Sequence, residues 1–141
     1  MISTVAVGTD GSPTAGEAVE AAAEIARRFD AKLVLVSAFE GPGGVPPDPG
    51  EAVEVQWALN PAARVKEILT RTQENLQREG IECTTMLEEG DPADVLVRLA
   101  ANCEADLLVI GNKGMHRRVL GSVPNTITHT APCSVFVVKT I

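Results

Sequence analysis

Two short stretches hold the residue types best suited to chemistry. The first, Gly111 to Asn125, reads GNKGMHRRVLGSVPN and follows the apolar run Leu107 to Ile110. Gly111, Gly114 and Gly121 let backbone N–H groups approach a guest with no Cβ in the way. The helix expected to start near Ser122 adds unpaired N–H donors carrying partial positive charge. His116, Arg117 and Arg118 place basic side chains between the second and third glycines. A phosphate is the natural guest; a strand-to-helix turn that needs glycine for steric reasons alone is the competing account. The second stretch, Gly8-Thr9-Asp10-Gly11-Ser12, carries one carboxylate. Asp10 repels a phosphate but accepts hydrogen bonds from ribose hydroxyls or an exocyclic amine. Shaping its own turn and favouring the next helix start is the alternative role.

Sharper chemistries fail on residue type or spacing. A Walker-type loop needs Gly-Lys-Ser/Thr at the helix start, and Gly121-Ser122-Val123 lacks the lysine. The two histidines, His116 and His129, have no aspartate or cysteine spaced to join them, which argues against a metal site or a hydrolytic triad with Ser122. Glu88 and Glu89 are adjacent at a strand end, point apart and read as surface charge rather than an acid–base pair. Trp57 and Phe39 are shaped to stack on a base, and equally to anchor a long loop. A phospho-accepting receiver domain needs clustered acids after its first strand, where Asp10 stands alone. Cys83, Cys103 and Cys133 are odd in number, lack C-x-x-C spacing and sit among apolar residues, so they read as small core residues.

The elements that must position these stretches alternate. Thr4 to Gly8 is a short apolar strand. Ser12 caps a helix with Pro13 at its first position, and Ala15, Ala18, Val19, Ala22, Ala26 and Phe29 repeat along one face. Lys32 to Phe39 contains Leu-Val-Leu-Val, the pattern of a strand covered on both faces. Gly41 to Gly50 is a loop and Glu51 to Leu59 stays unassigned. Asn60-Pro61 opens a helix with Val65, Ile68, Leu69, Thr72 and Leu76 on its stripe, ended by Gly80. Ile81, Cys83, Thr85 and Leu87 alternate with polar residues, as in a half-solvated edge strand. Asp91-Pro92 is a third cap of the same design, leading to Leu96, Leu99, Ala100 and Cys103. Ala105 to Ile110 is the fourth strand, Ser122 to Thr130 a last short helix, and Cys133 to Lys139 a fifth strand. Such alternation predicts parallel pairing and right-handed crossovers in a three-layer α/β/α sandwich. The ligand crevice of such a sheet lies where the winding reverses, so residues 9–12 and 111–122 meet if the first and fourth strands are neighbours.

At 141 residues the chain is expected to form a single domain, residues 1–141, with a core large enough to need no staples. Its net charge of -7 repels a nucleic-acid backbone. No apolar run is long enough to span a bilayer, and the start Met-Ile-Ser-Thr-Val has no basic region or cleavage site, so a cytoplasmic location is expected.

Taken together, the chain resembles the universal stress protein family almost end to end. The likeness is carried by Val7-Gly8-Thr9-Asp10-Gly11-Ser12, by Ala105-Asp106-Leu107-Leu108-Val109-Ile110-Gly111 and by Gly121-Ser122-Val123-Pro124-Asn125. Nucleotide-binding members carry Gly, two residues, Gly, about nine residues, then Gly-Ser or Gly-Thr. Here Gly111, Gly114 and Gly121-Ser122 are present, with only six residues between Gly114 and Gly121, a shortened version of that loop. The resemblance implies that Asp10, preceded by Gly8 and Thr9 in the same nucleotide-binding stretch, meets the ribose, and that the backbone around Ala38 meets the adenine edge. It also implies that Gly111, Gly114, Gly121, Ser122 and Val123 hold phosphates. The shortening bears on the outer phosphates, which Arg117 or Arg118 either contacts directly or leaves to solvent; AMP or cyclic AMP fits as well as ATP. Mg2+ can accompany the nucleotide, without a dedicated metal site. The resemblance further implies the sheet order 3-2-1-4-5 of adenine nucleotide alpha hydrolase-like folds and a homodimer along Ser134 to Val138. An apolar edge strand favours self-pairing, the alternative being a strand covered within one chain. The function implied is a stress-response sensor or regulator that binds an adenine nucleotide. A dimeric interaction module without nucleotide, or a slow ATP hydrolase lacking an obvious general base, are the alternatives.

Overall fold

A computed structural model of the protein describes residues 1–40, 60–112 and 122–139. Its elements are β1 (Thr4–Gly8), α1 (Pro13–Phe29), β2 (Lys32–Phe39), α2 (Pro61–Arg78), β3 (Cys83–Glu89), α3 (Pro92–Asn102), β4 (Leu107–Gly111), α4 (Ser122–Thr130) and β5 (Ser134–Val138). Residues 41–59, left partly unassigned from sequence, lie outside the described residues.

Three helices start by one device. Ser12 Oγ accepts from the Ala15 N–H at 3.2 Å, Asn60 Oδ1 from Ala63 at 3.3 Å and Asp91 Oδ2 from Asp94 at 3.3 Å, each followed by proline at the first helical position. The side-chain oxygen satisfies an N–H that has no partner inside the helix, and proline omits another. The starts of α1 and α3 are thereby fixed at the same end of the sheet.

All strand pairs are parallel, in the order β3-β2-β1-β4-β5. Because side chains alternate along a strand, each face receives its own half of the apolar set. Val5, Val7, Leu33, Leu35, Leu107 and Val109 meet α1 and α2 through Ala18, Ala22, Leu69 and Leu76. Ala6, Val34, Val36, Leu108 and Ile110 meet α3 and α4 through Val95, Leu96, Leu99 and Ile127. The result is a three-layer sandwich whose winding reverses between β1 and β4.

Three local expectations are corrected. Phe29 does not join the buried face of α1 and is 54% exposed. A 17-residue helix runs ~25 Å while a five-residue strand runs ~17 Å, so the helix end overshoots the sheet before Asp30 turns left-handed at φ 53°. Ala105 is not in β4; its N–H donates to Ala100 O at 2.9 Å and closes the end of α3, with Glu104 at φ 54°. Thr85 is exposed while Met86 packs on the α3 side, because an edge strand is open on its unpaired flank.

At the amino end of the sheet, the Asp106 carboxylate accepts from Ser3 N at 2.8 Å and Thr4 N at 3.0 Å, tying β1 to the start of β4. Those two N–H donors, Ser3 foremost, hold its carboxyl below the ordinary carboxylate range. No helix among the described residues is long and apolar enough to cross a membrane.

Candidate functional site

Beyond the carboxyl ends of β1 and β4 lies a cleft of about 400 Å³. β1 contributes Gly8, and its outgoing loop contributes Thr9 and Asp10. Ser12, Thr14 and Ala15 come from the start of α1; Ser37 and Ala38 from the end of β2; Pro92 and Leu96 from α3. Ile110 and Gly111 end β4, and Ser122, Val123 and Pro124 open α4. Most of these groups are apolar, so the interior is suited to a flat, poorly charged body with polar recognition at its rim.

The loop after β1 is held from several sides. Thr9 N donates to Val36 O at 3.1 Å and Ser37 Oγ donates to Thr9 O at 2.6 Å, so both backbone groups of Thr9 are tied to β2. Thr9 Oγ1 accepts from Gly11 N at 3.2 Å, and Asp10 Oδ1 accepts from Ser12 N at 2.9 Å. Asp10 therefore shapes its own turn, the alternative raised from sequence, while its side chain stands exposed at the cleft. The two roles are compatible, since a carboxylate has several acceptor sites.

Glycine at position 8 is a matter of close approach. A Cβ there would lie 3.0 Å from Leu96 Cδ1 and 3.3 Å from Leu96 Cδ2. The leucine side chain thus covers the end of β1 and forms part of the cleft wall. On the far side, Ile127, with no exposed surface, and buried Pro124 seat α4 against the sheet, which sets where Ser122 and Val123 stand.

Of the residues singled out from sequence, Gly8, Thr9, Asp10, Ala38, Gly111, Ser122 and Val123 line this one cleft. Gly114, Arg117 and Gly121 lie outside the described residues, as do Arg118, His116 and Trp57. Phe39 is half-buried and is not in the wall. Glu88 pairs with Arg98 Nε at 2.9 Å across to α3, and Glu89 is exposed. Sequence reasoning missed Ser37, Pro92, Leu96 and Ile110. For Ser37 there was a signal, one hydroxyl inside an otherwise apolar strand. For Leu96 there was none, because its spacing is that of any core position.

Among the described residues, groups for nucleophilic or metal chemistry are not gathered here. Burial pushes the Cys83, Cys103 and Cys133 thiols up, the opposite of what an attacking thiolate needs. Among the described residues no three His, Cys, Asp or Glu side chains are arranged to hold a metal ion. His129 is exposed near the end of α4, away from the wall.

Sheet order and cleft position define a doubly wound α/β protein of the kind whose crevice opens beyond the strand ends at the reversal of winding. The sequence profile of the Universal stress protein family matches residues 1–139. Universal stress protein Rv1636 of Mycobacterium tuberculosis is 37% identical over 149 residues, which span 97% of this chain and 96% of that one. Universal stress protein MJ0531 of Methanocaldococcus jannaschii is 32% identical over 141 residues, 96% of this chain and 81% of the other. A universal stress protein solved in complex with cAMP is 32% identical, superposes with a TM-score of 0.75 and shares 99% of this chain and 98% of its own. The chain belongs to the universal stress protein family.

Proposed function

We propose that the protein is a cytoplasmic, single-domain stress-response sensor or regulator that binds an adenine nucleotide in the cleft between β1 and β4. One observation carries the reading: Asp10 and the first turn of α4 line the same cleft. A carboxylate suits ribose hydroxyls, and the free N–H groups of a helix start suit a phosphate, so the two ends of a nucleotide find opposite chemistry. The apolar wall of Ala38, Pro92, Leu96 and Ile110 takes the base, and the Ala38 backbone meets its edge. Gly111, Ser122 and Val123 meet the phosphate, with Gly114, Gly121 and Arg117 supplying the rest. The similar protein solved with cAMP supports this choice of ligand.

With six residues between Gly114 and Gly121, the loop suits a mono- or cyclic phosphate as well as a triphosphate, with Mg2+ accompanying the latter. Asp10 is the one carboxylate among the described wall residues and its Oδ1 is engaged by Ser12 N, so it is poorly placed as a general base. Any ATP turnover is therefore slow. A ligand that prefers the folded state raises the melting temperature by mass action. Thermal shifts with ATP, ADP, AMP and cAMP, with and without Mg2+, are expected to show a rise for at least one of them. No rise at millimolar concentration would leave the interaction-module alternative.

The exposed edge of the sheet supports a homodimer. Among the described residues β5 has a neighbour on one side only, and Phe136 on it is 45% exposed. A second copy pairing along Ser134 to Val138 covers both the open backbone groups and that ring.

A further inference from the structure

Among the described residues three polar side chains are buried: Thr9, Ser37 and Asn112. Thr9 and Ser37 are bonded to each other and hold the loop that carries Asp10. Asn112 stands at the corresponding point after β4, next to Gly111 in the cleft wall, and has no exposed surface at all. Leu107 to Ile110 before it are apolar and buried. Its backbone N–H donates to Val138 O at 3.2 Å, one step past the end of β4, so the chain keeps its strand course into this residue. Side chains alternate along a strand, which puts Asn112 on the face of Leu108 and Ile110, the one that α3 and α4 cover. An amide taken out of water into an apolar layer is costly unless it is hydrogen-bonded, a cost that a valine or isoleucine in its place would not carry. Asn112 does engage a partner, and its amide offers both a donor and an acceptor to backbone groups nearby.

On the adenine-nucleotide reading of the cleft, on which this rests, we infer that Asn112 is a positioning residue for the phosphate end of the site. Its amide holds the exit from β4, and with it the backbone of Gly111 and the first turn of α4, in the places from which they meet a phosphate. Gly111 precedes it directly and α4 covers its face of the sheet, so a residue fixed here bears on both. The other end of the cleft, with Ala38 and Asp10, is anchored separately: Ala38 lies within the β2–β3 ladder, and the Asp10 loop is tied to β2 through Thr9. Loss of the Asn112 amide therefore acts on the part of a ligand that carries the phosphate and leaves the nucleoside part alone.

The test is the ratio of dissociation constants for adenosine and AMP, measured by calorimetry. Hydrogen bonds to a charged phosphate predict that the wild type prefers AMP by about 10-fold or more. In Asn112→Ala the preference falls to within about 3-fold, with adenosine affinity held close to that of wild type. Asn112→Val, which fills more of the space but has no polar group, narrows it likewise and serves should the alanine variant fold poorly; a melting curve of each free variant checks its fold. An unchanged ratio in a folded variant, including equal losses for both ligands, shows that Asn112 only supports the fold and overturns the inference while leaving the cleft a nucleotide site. Equal binding of adenosine and AMP by the wild type overturns it too, since no phosphate is then being read. Binding of neither by the wild type overturns the nucleotide reading and this inference with it.

Discussion

Gly11 and Ile68 touch where only a hydrogen atom fits: a Cβ on Gly11 would lie 2.9 Å from Ile68 Cγ2, and Gly11 has φ +81°. The loop from β1 is thus wedged against α2, an element that contributes nothing to the cleft wall directly. Gly11→Ala combines left-handed strain with a clash against a half-buried side chain, and is expected to destabilise the fold by about 2 kcal/mol. Because Asp10 is the adjacent residue, nucleotide affinity should fall in the same variant. Urea unfolding and calorimetry on one preparation check both.

Asp106 predicts a pH effect with a definite sign. Its carboxyl is held below the ordinary range by the Ser3 and Thr4 N–H groups, so its contribution is present above the unfolded-state pKa of about 4 and is lost as pH falls through the lower folded value. Asp106→Asn should unfold at lower urea than wild type at pH 7. The gap should close as the pH is taken below about 4. A gap that stays constant across that range would show that the charge on Asp106 is not what ties β1 to β4.

Ile127 carries the seating of α4. It is fully buried, in a helix of nine residues, and its truncation leaves a cavity the short helix cannot easily close. Ile127→Ala is expected to cost about 3 kcal/mol. The first turn of α4 should also lose its position, so any thermal shift produced by cAMP should shrink more than stability alone explains. Comparison with an equally destabilising substitution on α2, Leu69→Ala, separates the two effects.

Asp10 itself is best tested against the sugar. Asp10→Ala removes a charged acceptor, and the loss should be roughly 10-fold in affinity for AMP. For a nucleotide lacking the ribose hydroxyls the same substitution should matter much less. Equal losses for both would reduce Asp10 to the turn-shaping role that its bond to Ser12 N already shows.

Phe136→Glu places a charge on the open edge of the sheet. Sedimentation should move from dimer to monomer in this variant with the monomer still folded, since the ring is 45% exposed in the single chain. A wild type that sediments as a monomer would reject the proposed pairing outright.

Much of the fold was legible because local rules and packing agreed. The three cap-plus-proline starts at Ser12, Asn60 and Asp91, and the apolar runs of β2 and β4, are signals read over a few residues, and each formed the expected element. Phe29 and Ala105 went the other way, the first because its helix outruns the sheet it packs on and the second because the turn that closes α3 extends as far as Ala105.

By itself, then, the order of amino acids determined the alternation of strands and helices and the chemical character of two loops, since propensity, capping and hydrophobic period act between near neighbours. Which residues form a site together was decided by tertiary structure. Ser37 meets Thr9 across 28 positions of chain, and Leu96 covers Gly8 from a helix nearly ninety residues away. Those contacts exist because β1 lies between β2 and β4 while α3 packs over the same face, an arrangement created by strand order and crossover handedness that no short window of sequence contains.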